Sequence, residues 1–268
     1  MKFKFDHDYH IHSHLSLCSS DPGQNNERIL QYAKDNGLEE ICLTDHFWDE
    51  KVPGAPEWYR MQDLAHVKAA LPLPQDEKVR FLFGVETEFP QNCRVSTERE
   101  TFDEFAFVII PTTHLHMRGL TITEADYHAE DDTRSRLWVS RMDALLNQDL
   151  PFHKIGIAHL ACSLFDNRSR EHYLRALDSI PTEEMERIFA KAAKLGVGIE
   201  LNAGDMNFKD SETDTSLRMF RIAKAQGCKF YCGSDAHHPK AFDRAKSIFE
   251  RAIDLLELSE NDRFYIGK

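Results

Sequence analysis

The 268-residue chain has no apolar run long enough to cross a bilayer and no cysteine pair in C-x-x-C spacing. Its six cysteines, Cys18, Cys42, Cys93, Cys162, Cys228 and Cys232, are scattered, with Cys42, Cys162 and Cys232 in or beside apolar stretches. They offer no disulfide framework and read as buried free thiols in a reducing compartment. The opening "MKFKFDHDYH" contains no apolar h-region, so a cytoplasmic protein without a membrane partner is expected. Basic residues are in deficit: 33 Lys and Arg against 45 Asp and Glu leave a net charge of −12. That balance argues against a broad grip on a nucleic-acid backbone or an anionic membrane, and favours a small substrate. Low-complexity linkers and internal repeats are also lacking, so residues 1–268 are expected to form a single domain. A homo-oligomer is left open.

What is present is a regular alternation. Seven apolar, strand-like runs, "YHIH", "EEICLTDH", "RFLFGVETEF", "FAFVIIPTTHL", "KIGIAHL", "GVGIELNAG" and "CKFYCGSDAH", are separated by helical patterns. The helical patterns are "NNERILQYAKDNG", "WYRMQDLAHVKAAL", "TRSRLWVSRMDALLNQ", "TEEMERIFAKAAKLG" and "DTSLRMFRIAKAQG", with "DRAKSIFERAIDLLEL" after the last strand. Strand followed by helix, repeated, means a parallel sheet with crossover helices, and the length suits closure into a barrel. The segments 47–79 and 116–134 read as long loops of the kind that carry function.

Nearly every predicted strand ends in a residue that can bind a metal. His10 and His12 end the first, Asp45 and His46 the second, Glu86 the third, His114 and His116 the fourth, His159 the fifth, Glu200 the sixth, and Asp235 and His237 the seventh. Strand alternation sends His10, His12 and His14 to one side of "DYHIHSHLS". In a parallel barrel the strand ends share one rim. Core packing does not explain so many imidazoles and carboxylates there, because each is costly to bury unpaired. A polynuclear metal site explains them.

In this order "DYHIH", "LTDH", "GVETE", "TTHLH", "IGIAHL" and "GSDAHH" resemble the motifs of the PHP family, named for polymerase-associated and histidinol phosphatase domains. The resemblance runs from residue 8 to 238. It implies a distorted seven-stranded (β/α) barrel with three divalent ions, zinc, manganese or iron. Carried over by position, His10, His12 and Asp235 would hold one ion and His114 and His159 a second, with Glu86 bridging the two. His46, His237 and an acidic residue after the first strand would hold the third. Asp21 is the expected choice for that last ligand, with Cys18 and His14 as rivals, and His116 rivals His114.

The neighbours have quieter roles. Asp45 must face away from His46 in a strand and is expected to support the site or a turn, and His7 and His238 are likewise out of phase. Glu200 and Asn202 could orient metal-bound water or close the rim.

Three divalent ions against Asp21, Glu86 and Asp235 leave a strongly cationic pocket in an acidic protein, suited to a phosphate dianion. A water bridging the ions joined by Glu86 would lose a proton and attack phosphorus in line, with Asp235 also in the reacting centre and Arg118 as a phosphate clamp. The free-standing length resembles the histidinol phosphatase branch, so the expected partner is a small phosphorylated metabolite. A PHP-type exonuclease or nucleotide phosphodiesterase, an amidohydrolase and a non-catalytic metal-binding module are the alternatives.

Overall fold

The computed structural model describes residues 1–129 and 132–267; Glu130 and Asp131, within the expected 116–134 loop, and Lys268 lie outside the described residues. The strands are β1 (His7–Ile11), β2 (Glu40–Leu43), β3 (His46–Phe47), β4 (Arg80–Thr87), β5 (Phe107–Pro111), β6 (Ile155–Ala158), β7 (Gly198–Asn202) and β8 (Lys229–Gly233). They pair in parallel in the order β1-β2-β4-β5-β6-β7-β8, with β3 prolonging the line of β2 against β4. The sheet is nearly closed. Across the seam between β8 and β1, Asp235 N donates to His10 O (2.7 Å) and His12 N to Ala236 O (3.1 Å). The sheet is therefore the expected seven-stave barrel. Its distortion has two visible sources: β2 breaks at Thr44 and Asp45 before β3, and the β1–β2 register shifts between Asp8 and Ile11.

The helices are α1 (Asn26–Asn36), α2 (Glu57–Arg60), α3 (Leu64–Val67), α4 (Glu124–Tyr127), α5 (Asp132–Leu146), α6 (Arg170–Asp178), α7 (Thr182–Leu195), α8 (Thr213–Ala225) and α9 (Phe242–Leu255). Among the described residues none is long and apolar enough to cross a membrane. Their limits follow local chemistry. Asn25 caps α1 by accepting from Arg28 N, and Gly37 ends it at φ 68°, a left-handed conformation that suits glycine. Helix α7 buries Met185, Ile188, Phe189 and Ala192, one face at helical spacing.

Two expectations need revision. The pattern over 58–71 predicts one helix, but the chain breaks it at Gln62 and Asp63, where the Asp63 carboxylate accepts from His66 N (2.9 Å) and starts α3 afresh. Helix α6, started by the Ser169 cap, was not visible as a pattern; its nine residues bury only Tyr173, Ala176 and Leu177.

Inside the barrel, Tyr9, Cys42, Leu82, Phe107, Ile109, Ala158 and Tyr231 come from six strands and pack together with Phe264 and Ile266. The larger core lies between the sheet and its helices. The interior plug supports the carboxyl ends of the strands, where the polar residues gather.

Candidate metal centre

Eight of the nine ligands expected from the sequence converge at that rim. Three groups of side chains each bring their ligand atoms within 4.8 Å of one another: His10, His12 and Glu86; Glu86, His114 and His159; His12, His46 and His237. Backbone geometry helps to aim them, since His159 (φ 32°) and Asp235 (φ 53°) sit in the sparsely populated positive-φ region.

Asp235 flanks the first group on the side of its two imidazoles. His10 Nε2 and His12 Nε2 are 3.0 Å apart, and each lies 3.3 to 3.4 Å from both Glu86 Oε2 and Asp235 Oδ1. Spacings of 3.0 to 3.4 Å between neighbouring donor atoms are those of ligands that share an ion about 2 Å away, the length of a zinc bond to nitrogen or oxygen. The hydrogen bonds assign the tautomers. His10 Nδ1 donates to Glu200 Oε1 (2.6 Å). Ser16 Oγ gives its proton to Asp45 Oδ1 (2.6 Å), so it accepts from His12 Nδ1 (2.9 Å). In the neutral rings both Nε2 atoms are left with lone pairs that face two carboxylate oxygens and no donor. This donor set fits a divalent cation.

Glu86 divides its carboxylate between groups. Oε2 faces His10 and His12 and also approaches His46 Nδ1 (3.1 Å), whereas Oε1 is 3.1 Å from His159 Nε2 and 3.9 Å from His114 Nε2. His114 Nδ1 donates to Glu88 Oε2 (3.0 Å), and the His114 and His159 rings stack 4.5 Å apart. Burial by itself would raise Glu86, but His46, His10 and His12 hold its carboxyl well below the usual range. Burial also works against a charged His10, yet Asp235, Glu200 and Glu86 lift it well above its usual value.

The third group is less complete. His237 Nδ1 donates to the Asp235 carbonyl (2.8 Å), its ring stacks on His12 at 4.0 Å, and burial with the neighbouring His12 pushes it down to about 4. His46 Nδ1 is buried with no hydrogen-bond partner, which suits a ligand atom. Asp21 is not brought to this group: it pairs with His238 Nε2 (2.9 Å) and accepts from Gly23 N. Cys18 instead lines the cavity beside His46 and His237. His14 is exposed and only its Nδ1 nears the Gln24 carbonyl (3.4 Å). His7 Nε2 accepts from Cys232 N and is structural.

The supporting residues are more numerous than the sequence suggested. Asp45, in the break between β2 and β3, accepts from Ser13 N, Ser13 Oγ and Ser16 Oγ and so supports the site. Glu200 holds His10 with one oxygen and takes His159 N (2.7 Å) and Asn202 Nδ2 with the other. A Cβ on Gly233 would stand 1.9 Å from Glu200 Oε1, so only glycine fits beside it. Glu88 and Tyr59 were missed, although Glu88 follows Glu86 by two residues on the same strand line; Tyr59 donates to Glu88 (3.0 Å). His116 lines the cavity with its Nδ1 unpartnered, while Arg118 turns outward to Glu124 (3.2 Å) and Tyr127.

The cavity over these groups holds about 300 Å³, with Trp58, Tyr59, Met117 and Leu164 on its walls. A larger groove of about 1140 Å³, between the end of α1 and the start of β4, contains no histidine.

The chain matches the model of the PHP domain over residues 8–266. It is 26% identical over 249 residues to the "Probable histidinol-phosphatase" of Deinococcus radiodurans, covering 85% of each chain. It is 27% identical over 207 residues to a "Probable phosphatase" of Vibrio atlanticus, covering 76% of this chain and 68% of that one. Among solved structures, the histidinol phosphate phosphatase of Lactococcus lactis, complexed with zinc, L-histidinol and phosphate, superposes with a TM-score of 0.58 at 18% identity over 92% of this chain and 93% of that one. A Listeria monocytogenes structure carrying a histidinol phosphatase name reaches 0.62 at 14% identity, over 91% and 99%. A barrel with this strand order, a rim of histidines around Glu86 and a family match spanning nearly the whole chain establish that the protein belongs to the PHP domain family.

Proposed function

We propose that the protein is a metal-dependent phosphatase that hydrolyses a small phosphomonoester, in the class of histidinol phosphate, at a centre of three divalent ions. The divided carboxylate of Glu86 carries this reading, because it ties two proton-poor donor groups together in the arrangement of a bridged site. The phosphatase names of both sequence relatives, and the zinc and phosphate of the Lactococcus lactis structure, support it.

In this reading His10, His12, Asp235 and Glu86 would hold one ion, Glu86, His114 and His159 a second, and His46 and His237 a third. Ions so held polarise a phosphoryl oxygen and lower the pKa of water. Glu200, Ser16 and Glu88 fix the imidazoles through their Nδ1 protons, which keeps the Nε2 lone pairs aimed inward. The reaction joins a water oxygen to phosphorus, breaks the bond from phosphorus to the alcohol oxygen, and leaves the alcohol protonated and phosphate free. His116, on the cavity wall, would be within reach to hydrogen-bond the phosphate or the departing oxygen.

The test is turnover of small phosphomonoesters, phosphodiesters, oligonucleotides and amides by metal-loaded protein, with Asp235→Asn as the control for contaminants. Monoesters are expected to be fastest and to fail in the variant. Oligonucleotide turnover faster than every monoester, and lost in Asp235→Asn, would replace this reading with a nuclease.

A further inference from the structure

Beyond the metal groups, the cavity wall changes character. Trp58, Met117 and Leu164 line it alongside the histidines, and among the described residues the only carboxylates on the wall are Glu86, in two metal groups, and Asp235, against His10 and His12. Trp58 is unlike the other two tryptophans. Trp48 and Trp138 are buried, whereas Trp58 is 38% exposed and stands edge to face with His46 at 5.2 Å. Tyr59 braces it at 4.7 Å with the rings perpendicular, so it presents a fixed aromatic surface beside a histidine of the site.

This surface continues outward. Among the described residues only six large apolar side chains are exposed, and three of them, Leu17, Trp58 and Met61, belong to segments joined at Gln62. Gln62 joins them: its Oε1 accepts from Leu17 N (3.1 Å) and its Nε2 donates to the Trp58 carbonyl (3.2 Å). Met61 follows Trp58 by three residues, at the C-terminal end of α2. Gln62 is itself fully buried, so the clustering is built into the fold and is not a chance of loose side chains. Solvent-exposed apolar side chains gathered at the mouth of a polar cavity mark a surface that meets an apolar group.

We infer that the alcohol portion of the substrate is aromatic or compactly apolar and lies against Trp58, with Leu17 and Met61 covering its outer edge. The inference rests on the phosphomonoesterase reading and adds Trp58 as the side chain that selects the leaving group. A cavity of about 300 Å³ accommodates a phosphate and one small ring but not a dinucleotide.

Phenylethyl phosphate and ethyl phosphate test it, because both release a primary alcohol and differ in the ring alone. The metal-loaded enzyme is expected to prefer the phenylethyl ester in kcat/KM by about tenfold, equivalent to about 1.4 kcal/mol. Trp58→Ala should collapse that ratio, and Trp58→Phe should keep most of it. Phenylethylphosphonate, which cannot be hydrolysed, should change the tryptophan emission and protect it from acrylamide more than ethylphosphonate does, and the difference should vanish in Trp58→Phe. Equal wild-type kcat/KM for the two esters, or a Trp58→Ala variant that slows both alike with the ratio intact, overturns the inference while leaving the phosphatase reading standing. Failure of the loaded enzyme on both esters and on every other monoester overturns both.

Discussion

His10 Nε2 and His12 Nε2 stand 3.0 Å apart although each ring gives its Nδ1 proton elsewhere, to Glu200 and Ser16. Without a cation between them, a proton is the only other way to relieve the lone-pair repulsion, and the surrounding carboxylates lift His10 well above its usual value. Metal and proton therefore compete. Below the raised value the metal-free site keeps its proton, so metal affinity should climb with pH by up to about tenfold per unit and level off above it. Calorimetry in buffers of different ionisation heat should detect proton release on zinc or manganese binding at neutral pH; binding with no proton released would contradict this account.

Glu86 touches both main groups, so Glu86→Ala should lower metal content more than any other single substitution at the rim. The His46 and His237 group, whose neighbour His12 spends its one lone pair on the first ion, should give up its ion first to a chelator. Asp21→Asn, at a side chain paired with His238, should leave the metal content at the wild-type value. Metal analysis after gel filtration decides all three, and a loss in Asp21→Asn would restore Asp21 as a ligand.

Glu200 acts through His10. Glu200→Gln keeps the shape but removes the charge 2.6 Å from His10 Nδ1, and metal affinity should weaken by about 10- to 100-fold. A competition titration with a fluorescent chelator measures this, and unaltered affinity would reduce Glu200 to a packing role.

Arg118 pairs with Glu124 and leans over Tyr127, away from the cavity wall. Arg118→Ala should therefore leave KM for a phosphomonoester within about twofold of wild type. A large rise in KM would show that the arginine swings in to clamp phosphate.

Asp205 is buried, with Oδ2 accepting from Ala161 N (3.0 Å) and Oδ1 unpartnered, and burial pushes its carboxyl up to about 7 from 3.8. The folded chain holds this proton more tightly than the unfolded chain does. Its contribution to stability is thus full below 3.8 and lost as pH rises through about 7. Asp205→Asn should gain on wild type, between about pH 5 and about pH 8, by on the order of 2 kcal/mol. Urea unfolding of metal-stripped protein at both pH values checks the sign; a constant difference would mean that Asp205 is ionised throughout.

The alternation of apolar strands with amphipathic helices determined the barrel, because period-two and period-3.6 patterns are written locally and parallel strands require crossovers. The same phase argument placed His10, His12, His46, Glu86, His114, His159, Asp235 and His237 on one rim, since strand ends of a parallel barrel share a face. Distances across the barrel were not available to that argument. Asp21 and Cys18 are three residues apart in an irregular loop with no period, and only the folded chain sends Cys18 to the cavity and Asp21 to His238. Glu200, Glu88 and Ser16 acquire their roles from partners 190, 26 and 4 residues away, through hydrogen bonds whose direction depends on which ring nitrogen holds the proton. Trp58 lay in a predicted helix with nothing to mark it. Its place over His46 follows from the break at Gln62 and Asp63, a contest between side-chain caps and helix continuation that tertiary packing decides.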